Sequence, residues 1–111
     1  MKNILIVSLF TDKYEEILKI YDFNLSSASS TKEAKGFFFK DSNFDLIIFD
    51  IPLEEEFSVV VKFIQKIRET YNGLFVVNSN SPLIRRKILS ITRGGYETNA
   101  LEEIKKIIDS I

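Results

Sequence analysis

The stretch "NFDLIIFDIPL", residues 43–53, decides how the chain is read. Leu46, Ile47, Ile48 and Phe49 follow one another with no polar residue between them, so the segment lacks the alternation of a strand with one wet face. It reads as a strand buried on both faces, which is the pattern of a parallel sheet. The run then ends on a carboxylate, Asp50, just before Ile51 and Pro52. An ionised side chain is excluded from the interior of such a strand, so Asp50 marks the end where the sheet meets solvent.

Outward from this strand, apolar runs alternate with helical periods along the whole chain, as in a sheet with helices on its faces. A first strand is expected over Asn3–Ser8, then a helix over Asp12–Tyr21 with Tyr14, Ile17, Leu18 and Tyr21 on one side. Asp12 and Glu15 have the spacing of a capping pair. The second strand, "NLSSAS", is polar. The helix after it opens at Thr31 and turns Ala34, Phe37 and Phe38 inward. The third helix is read from "EEEFSVVVKFIQKIRETY", whose acidic start, Glu54–Glu56, suits the positive end of a helix dipole. Phe57, Val60, Val61, Ile64, Ile67 and Tyr71 form its buried stripe, and Gly73 ends it. A fourth strand, "LFVVNS", leads to a helix begun by Pro82, with Ser81 as cap, and closed by Gly94 and Gly95. A short fifth strand around "YETN" precedes a last helix striped by Leu101, Ile104, Ile107, Ile108 and Ile111.

Composition limits the chemistry. The chain has 111 residues, enough for one domain with its own core. Fifteen basic residues against sixteen acidic ones leave a net charge of −1, so no overall positive field draws it to nucleic acid or an anionic membrane. Cysteine and histidine are both absent, which excludes disulfides, thiolate nucleophiles, Cys/His zinc sites and imidazole catalysis. No Gly-rich phosphate loop follows the first strand, where "SLFTD" stands. The opening "MKNILIVSLF" reads as a strand rather than a leader, and no run is long enough to span a bilayer. A cytoplasmic domain is the expectation.

With five strand–helix units, the chain resembles the receiver domains of response regulators over its whole length. "KNILIV" is similar to their first strand, "FDLIIFDIPL" to the segment carrying the phosphorylated aspartate, and "RGGYETNALEEI" to the glycine turn, aromatic fifth strand and last helix. The resemblance implies an α/β, three-layer, flavodoxin-like (CheY-like) doubly wound sheet of five parallel strands in the order 2-1-3-4-5. It also implies the phospho-acceptor position at Asp50 and the aromatic switch position at Tyr96.

The family's chemistry uses two acids after the first strand to help hold Mg²⁺, a hydroxyl after the fourth and a lysine after the fifth. Here Ser8 and Leu9 stand in place of the acids and Asn99 in place of the lysine, with Ala100 where a proline is usual. The hydroxyl position falls on Asn78, with Ser79 next to it. Asp12 is either a substitute acid or a helix cap. Removing one preorganised charge-stabilising group costs roughly 10²- to 10³-fold in rate, so ordinary phosphotransfer is not expected. Asp50 is then a strand-end carboxylate accepting backbone hydrogen bonds, or a surviving ligand site.

The expectation is therefore a non-enzymatic, atypical receiver-like module with no resident cofactor or metal. Its expected partner is a protein or an output domain, with a homodimer formed through the fourth helix, fifth strand and fifth helix. Arg85, Arg86, Arg93, Tyr96, Glu97 and Glu102 are its candidate interface residues. Arg85, Arg86 and Lys87 otherwise form a solvated face. In "GFFFK", residues 36–40, Phe39 is the aromatic residue left for the surface. The alternatives are a phosphorelay receiver, with Mg²⁺ assisting phosphorylation of Asp50, and a small flavodoxin-like enzyme or ligand binder.

Overall fold

A computed structural model describes residues 2–40, 43–50, 57–79, 81–92, 96–98 and 101–110. Five strands, β1 (Asn3–Val7), β2 (Asn24–Ala28), β3 (Leu46–Asp50), β4 (Leu74–Asn78) and β5 (Tyr96–Thr98), alternate with five helices. These are α1 (Thr11–Leu18), α2 (Thr31–Lys40), α3 (Phe57–Arg68), α4 (Pro82–Thr92) and α5 (Leu101–Ser110). All neighbouring strands pair in parallel, in the order β2-β1-β3-β4-β5.

The unbroken apolar runs have their cause in this layering. Successive side chains of a strand point to opposite faces, and both faces are covered. Leu5, Val7, Ile47, Phe49, Phe75 and Val77 pack with α2, α3 and α4 through Ala34, Phe38, Val60, Phe63, Ile64, Ile67 and Ile88. Ile4, Ile6, Leu46, Ile48 and Val76 meet Tyr14 and Leu18 of α1 and Ile104 and Ile108 of α5. The two edge strands, β2 (NLSSA) and β5 (YET), are the polar ones, as suits an edge.

Several local expectations need correction. Helix α1 begins at Thr11 behind Phe10, with no side-chain cap. Glu15 is drawn away from any pairing with Asp12 by the Ser27 hydroxyl of β2, which donates to it at 2.6 Å. The helix ends at Leu18, so Tyr21 lies beyond it, stacked on Phe23 at 4.9 Å and donating to Asp109 of α5. Helix α2 is capped by Ser30, whose hydroxyl accepts the Glu33 N–H at 3.1 Å. Phe38 is buried, but Phe37 is 37% exposed and does not face inward as expected, because a helix turns consecutive residues about 100° apart.

Gly73 does not end α3 either. The helix stops at Arg68, whose guanidinium takes the carbonyls of Tyr71 at 2.9 Å and Gly73 at 3.0 Å. Tyr71 is buried edge-on against Phe38 and Phe75, and its hydroxyl donates to the Leu74 carbonyl at 2.8 Å. A Cβ on Gly73 would fall 2.3 Å from that hydroxyl oxygen and 2.4 Å from the ring, so glycine is required by the tyrosine lying over it. The acidic lead-in Glu54–Glu56, the turn Gly94–Gly95 and Ile111 lie outside the described residues.

Two glycine substitutions therefore have opposite expected effects. Gly73→Ala should lower the unfolding free energy by about 1–3 kcal/mol through overpacking. Gly36→Ala, where an added Cβ meets nothing within 4 Å, should raise it by roughly 0.5–1 kcal/mol. Urea denaturation reads both, and equal stability of Gly73→Ala and the parent would contradict the packing of Tyr71.

Candidate functional site

The carboxyl ends of β1, β3 and β4 converge where strand order reverses, beside the β1/β3 pair. Register places Asp50, last residue of β3, directly opposite Asn78 of β4. Ser8 follows β1 and is wholly buried, its backbone N–H bonded to the Ala28 carbonyl at 2.9 Å. Its hydroxyl donates to Asp50 Oδ2 at 2.9 Å and accepts the Phe10 N–H at 2.8 Å. Asp50 thus accepts a side-chain hydroxyl, while the residues that follow it, 51–56, lie outside the described residues.

Tyr14 completes the arrangement. This residue of α1 is wholly buried, and its hydroxyl accepts the Asn78 amide at 2.6 Å. Burial pushes its pKa well above the ordinary 10.0; the Asn78 bond opposes that shift, while the charge and acceptor oxygens of Asp50 add to it. The phenol therefore keeps its proton and offers it toward Asp50. Two bonded pairs, Asn78–Tyr14 and Ser8–Asp50, the latter extended by the Phe10 N–H on Ser8, meet at one end of the sheet, where the charge of Asp50 bears on the Tyr14 phenol.

Tyr14 went unread as a site residue because its helical spacing assigned it to the core. The available signal was chemical: a buried tyrosine must find a partner for its hydroxyl, and Asn78 was a polar residue at a neighbouring strand end.

Other expected site residues are dispersed. Leu9 is exposed. Ser79 is buried, but its hydroxyl accepts the Ser81 N–H at 3.2 Å and so serves its own loop. Ser81 caps α4 as expected, accepting the Ile84 N–H at 3.3 Å. Arg85 is half-buried, and from the first turn of α4 its guanidinium donates to the Ser79 carbonyl. Arg86 and Glu102 are exposed. Tyr96 and Glu97 stand in β5 opposite Val76 and Val77. Arg93 and Asn99 lie outside the described residues.

No protein-family model matches the chain, and neither does any curated protein sequence. Solved structures do. The response regulator TrrA of Thermotoga maritima, solved in complex with Mg²⁺–BeF, superposes with a TM-score of 0.79 at 22% identity, covering 99% of this chain and 98% of that one. A two-component response regulator from Clostridium difficile gives 0.77 at 22%, covering 98% and 97%. The receiver domain of a Saccharomyces cerevisiae response regulator, crystallised with a histidine phosphotransfer protein, gives 0.74 at 21%, covering 95% and 84%. The chain has the receiver fold.

Receiver chemistry implies a Mg²⁺ site beside the acceptor aspartate, and the residues present do not fit one. Mg²⁺ takes near-octahedral oxygen ligation and is bound through carboxylates. Here the position next to Asp50 holds a hydroxyl whose proton is committed to that carboxylate, and the next position holds the apolar Leu9. Asp12, on the first turn of α1, is exposed, and no three carboxylates gather among the described residues.

The phenol makes stability pH-dependent. Tyr14 and Tyr71 are both raised above 10.0, mainly by burial. The unfolded chain releases these protons near pH 10 while the folded chain retains them, so their contribution is complete below pH 10 and is lost as pH climbs beyond it. Each group adds a slope of about 1.4 kcal/mol per pH unit there. Tyr14→Phe should make this alkaline loss shallower by one group's share. At neutral pH it should cost about 1–3 kcal/mol, since the Asn78 amide loses its acceptor. Urea unfolding at a series of pH values checks both, and an unchanged slope would contradict the buried phenol.

Proposed function

We propose that this receiver-fold chain is a regulatory protein-interaction module of the response-regulator type that works without conventional phosphorylation of Asp50. The observation that carries the reading is the bond from Ser8 to Asp50 at 2.9 Å. Where the family resemblance calls for acids that gather a divalent cation, neutral hydroxyls instead steady the carboxylate's single charge. A phosphoryl group arriving at Asp50 brings negative charge that these groups do not neutralise.

The competing reading, a phosphorelay receiver, draws on Asp50 being only half-buried at the end of β3. Brief incubation of the purified protein with acetyl phosphate and Mg²⁺ separates the two. The expected intact mass is unchanged, and Asp50→Asn should behave like the parent. A protein one phosphate heavier, with the gain absent in Asp50→Asn, would overturn the proposal.

The interaction surface we favour is α4–β5–α5, where receivers pair with each other or with an output domain. Leu83 is 76% exposed on α4 and shares one helix face with Arg86 and Lys87 at i+3 and i+4, all of them exposed. An apolar residue beside two cations suits a mixed interface, with Glu102 of the exposed α5 surface as a partner of opposite sign. Sedimentation equilibrium should show concentration-dependent dimerisation, weakened at least tenfold in Leu83→Asp. A monomer at high concentration would remove this surface from the account.

A further inference from the structure

One face of α2 is left over by the core. Lys32, Lys35, Gly36 and Phe39 recur at the i, i+3, i+4, i+7 spacing of a single helix face. All four are exposed, Phe39 by 72%. Between this face and the end of α3 lies a hollow of about 200 Å³. Phe38 and Ile67 form its buried floor, Phe39 its wall, and Lys35, Lys66 and Glu69 part of its rim.

The charges at the rim are unbalanced. Lys66 is paired with Glu69 at 3.3 Å, whereas Lys35 makes no salt bridge among the described residues. Lys32, one turn earlier, adds a second positive charge without a salt bridge among them. Gly36 lies on the same face, and nothing in the chain requires a glycine there, since a Cβ would enter open space. Glycine inside a helix costs stability relative to alanine. What it provides is bare backbone beside an exposed ring, the condition for close approach by another chain.

We propose that this face of α2, with the adjoining hollow, binds an acidic protein segment through an aliphatic or aromatic anchor. The anchor side chain enters over Phe38 and Ile67, flanking carboxylates meet Lys32 and Lys35, and the segment's backbone passes over Gly36. Size selects a side chain: pockets for drug-sized ligands run to roughly 300–1,000 Å³, well above this hollow. The sign of the free charges selects acidic flanks. The site is separate from Asp50 and from α4–β5–α5, so it stands whether or not Asp50 accepts phosphate.

The test uses a short acetylated peptide carrying leucine and phenylalanine among aspartates, titrated into ¹⁵N-labelled protein. Saturable amide shifts are expected in α2 and the last turn of α3, with affinity weakened at least tenfold by Lys35→Glu and by Phe39→Ser. Gly36→Gln is the decisive variant, because it favours the helix while filling the approach. It should melt at or above the parent temperature and lose at least tenfold in affinity. Absence of saturable shifts, shifts centred elsewhere, or parent-like affinity in Gly36→Gln would each overturn the proposal. So would saturation of the hollow by octanoate with no response to the peptide.

Discussion

A parallel sheet covered on both faces leaves polar side chains only the strand ends, and this constraint shapes the whole molecule. β1, β3 and β4 carry apolar residues at every buried position, so the first polar side chains met at their carboxyl ends are Ser8, Asp50 and Asn78. Parallel pairing brings those ends to one edge. The cluster is thus a consequence of the topology before it is a consequence of any chemistry.

What the cluster can do depends on how its one negative charge is balanced. A half-buried carboxylate needs either a cation or several hydrogen-bond donors, because taking a charge from water without them costs several kcal/mol. This chain uses donors: the Ser8 hydroxyl directly, and the Tyr14 phenol, itself held by Asn78. Such donors satisfy the ground-state anion but carry no net charge, so they cannot offset the added charge of a phosphoryl group as a metal ion or an ammonium would. On the proposed reading, the same bonds that make Asp50 acceptable at the edge of the core leave it a poor acceptor.

Much of this was legible in the residue pattern, for identifiable reasons. The strands could be read because double-sided burial leaves an unmistakable run, and the strand order followed from the receiver resemblance. Asp50, Ser8 and Asn78 could be placed because each ends a strand. Helix ends were legible in part, since they answer to individual side-chain bonds: α2 opens at Thr31 as read, whereas Ser27 captured Glu15, the expected partner of Asp12. Periodicity also treats aromatic residues as interchangeable core material. It missed the hydroxyl of Tyr14, it counted Phe37 as inward, and it read Gly73 as a helix stop when the Tyr71 ring overhead is what demands it. The bond of Arg85 to the Ser79 carbonyl was also not legible, because a long cation on an exposed helix can turn back onto a loop.

These bonds bear on where a signal can enter. A ligand shifts a conformational equilibrium only by the difference in its affinity for the two states. At the strand ends the Ser8–Asp50 and Asn78–Tyr14 bonds join β1 to β3 and β4 to α1, so a ligand that shifts these elements must also offset the bonds it breaks. The outer faces of α2 and α4 present Phe39 and Leu83 to water beside lysines and an arginine, and covering them requires no internal bond to break. Apolar area removed from water there contributes about 25 cal/mol per Å², available in full to whichever state presents the surface. On the proposed reading the protein responds from its helical surfaces, and the strand-end cluster supplies the rigidity against which they act.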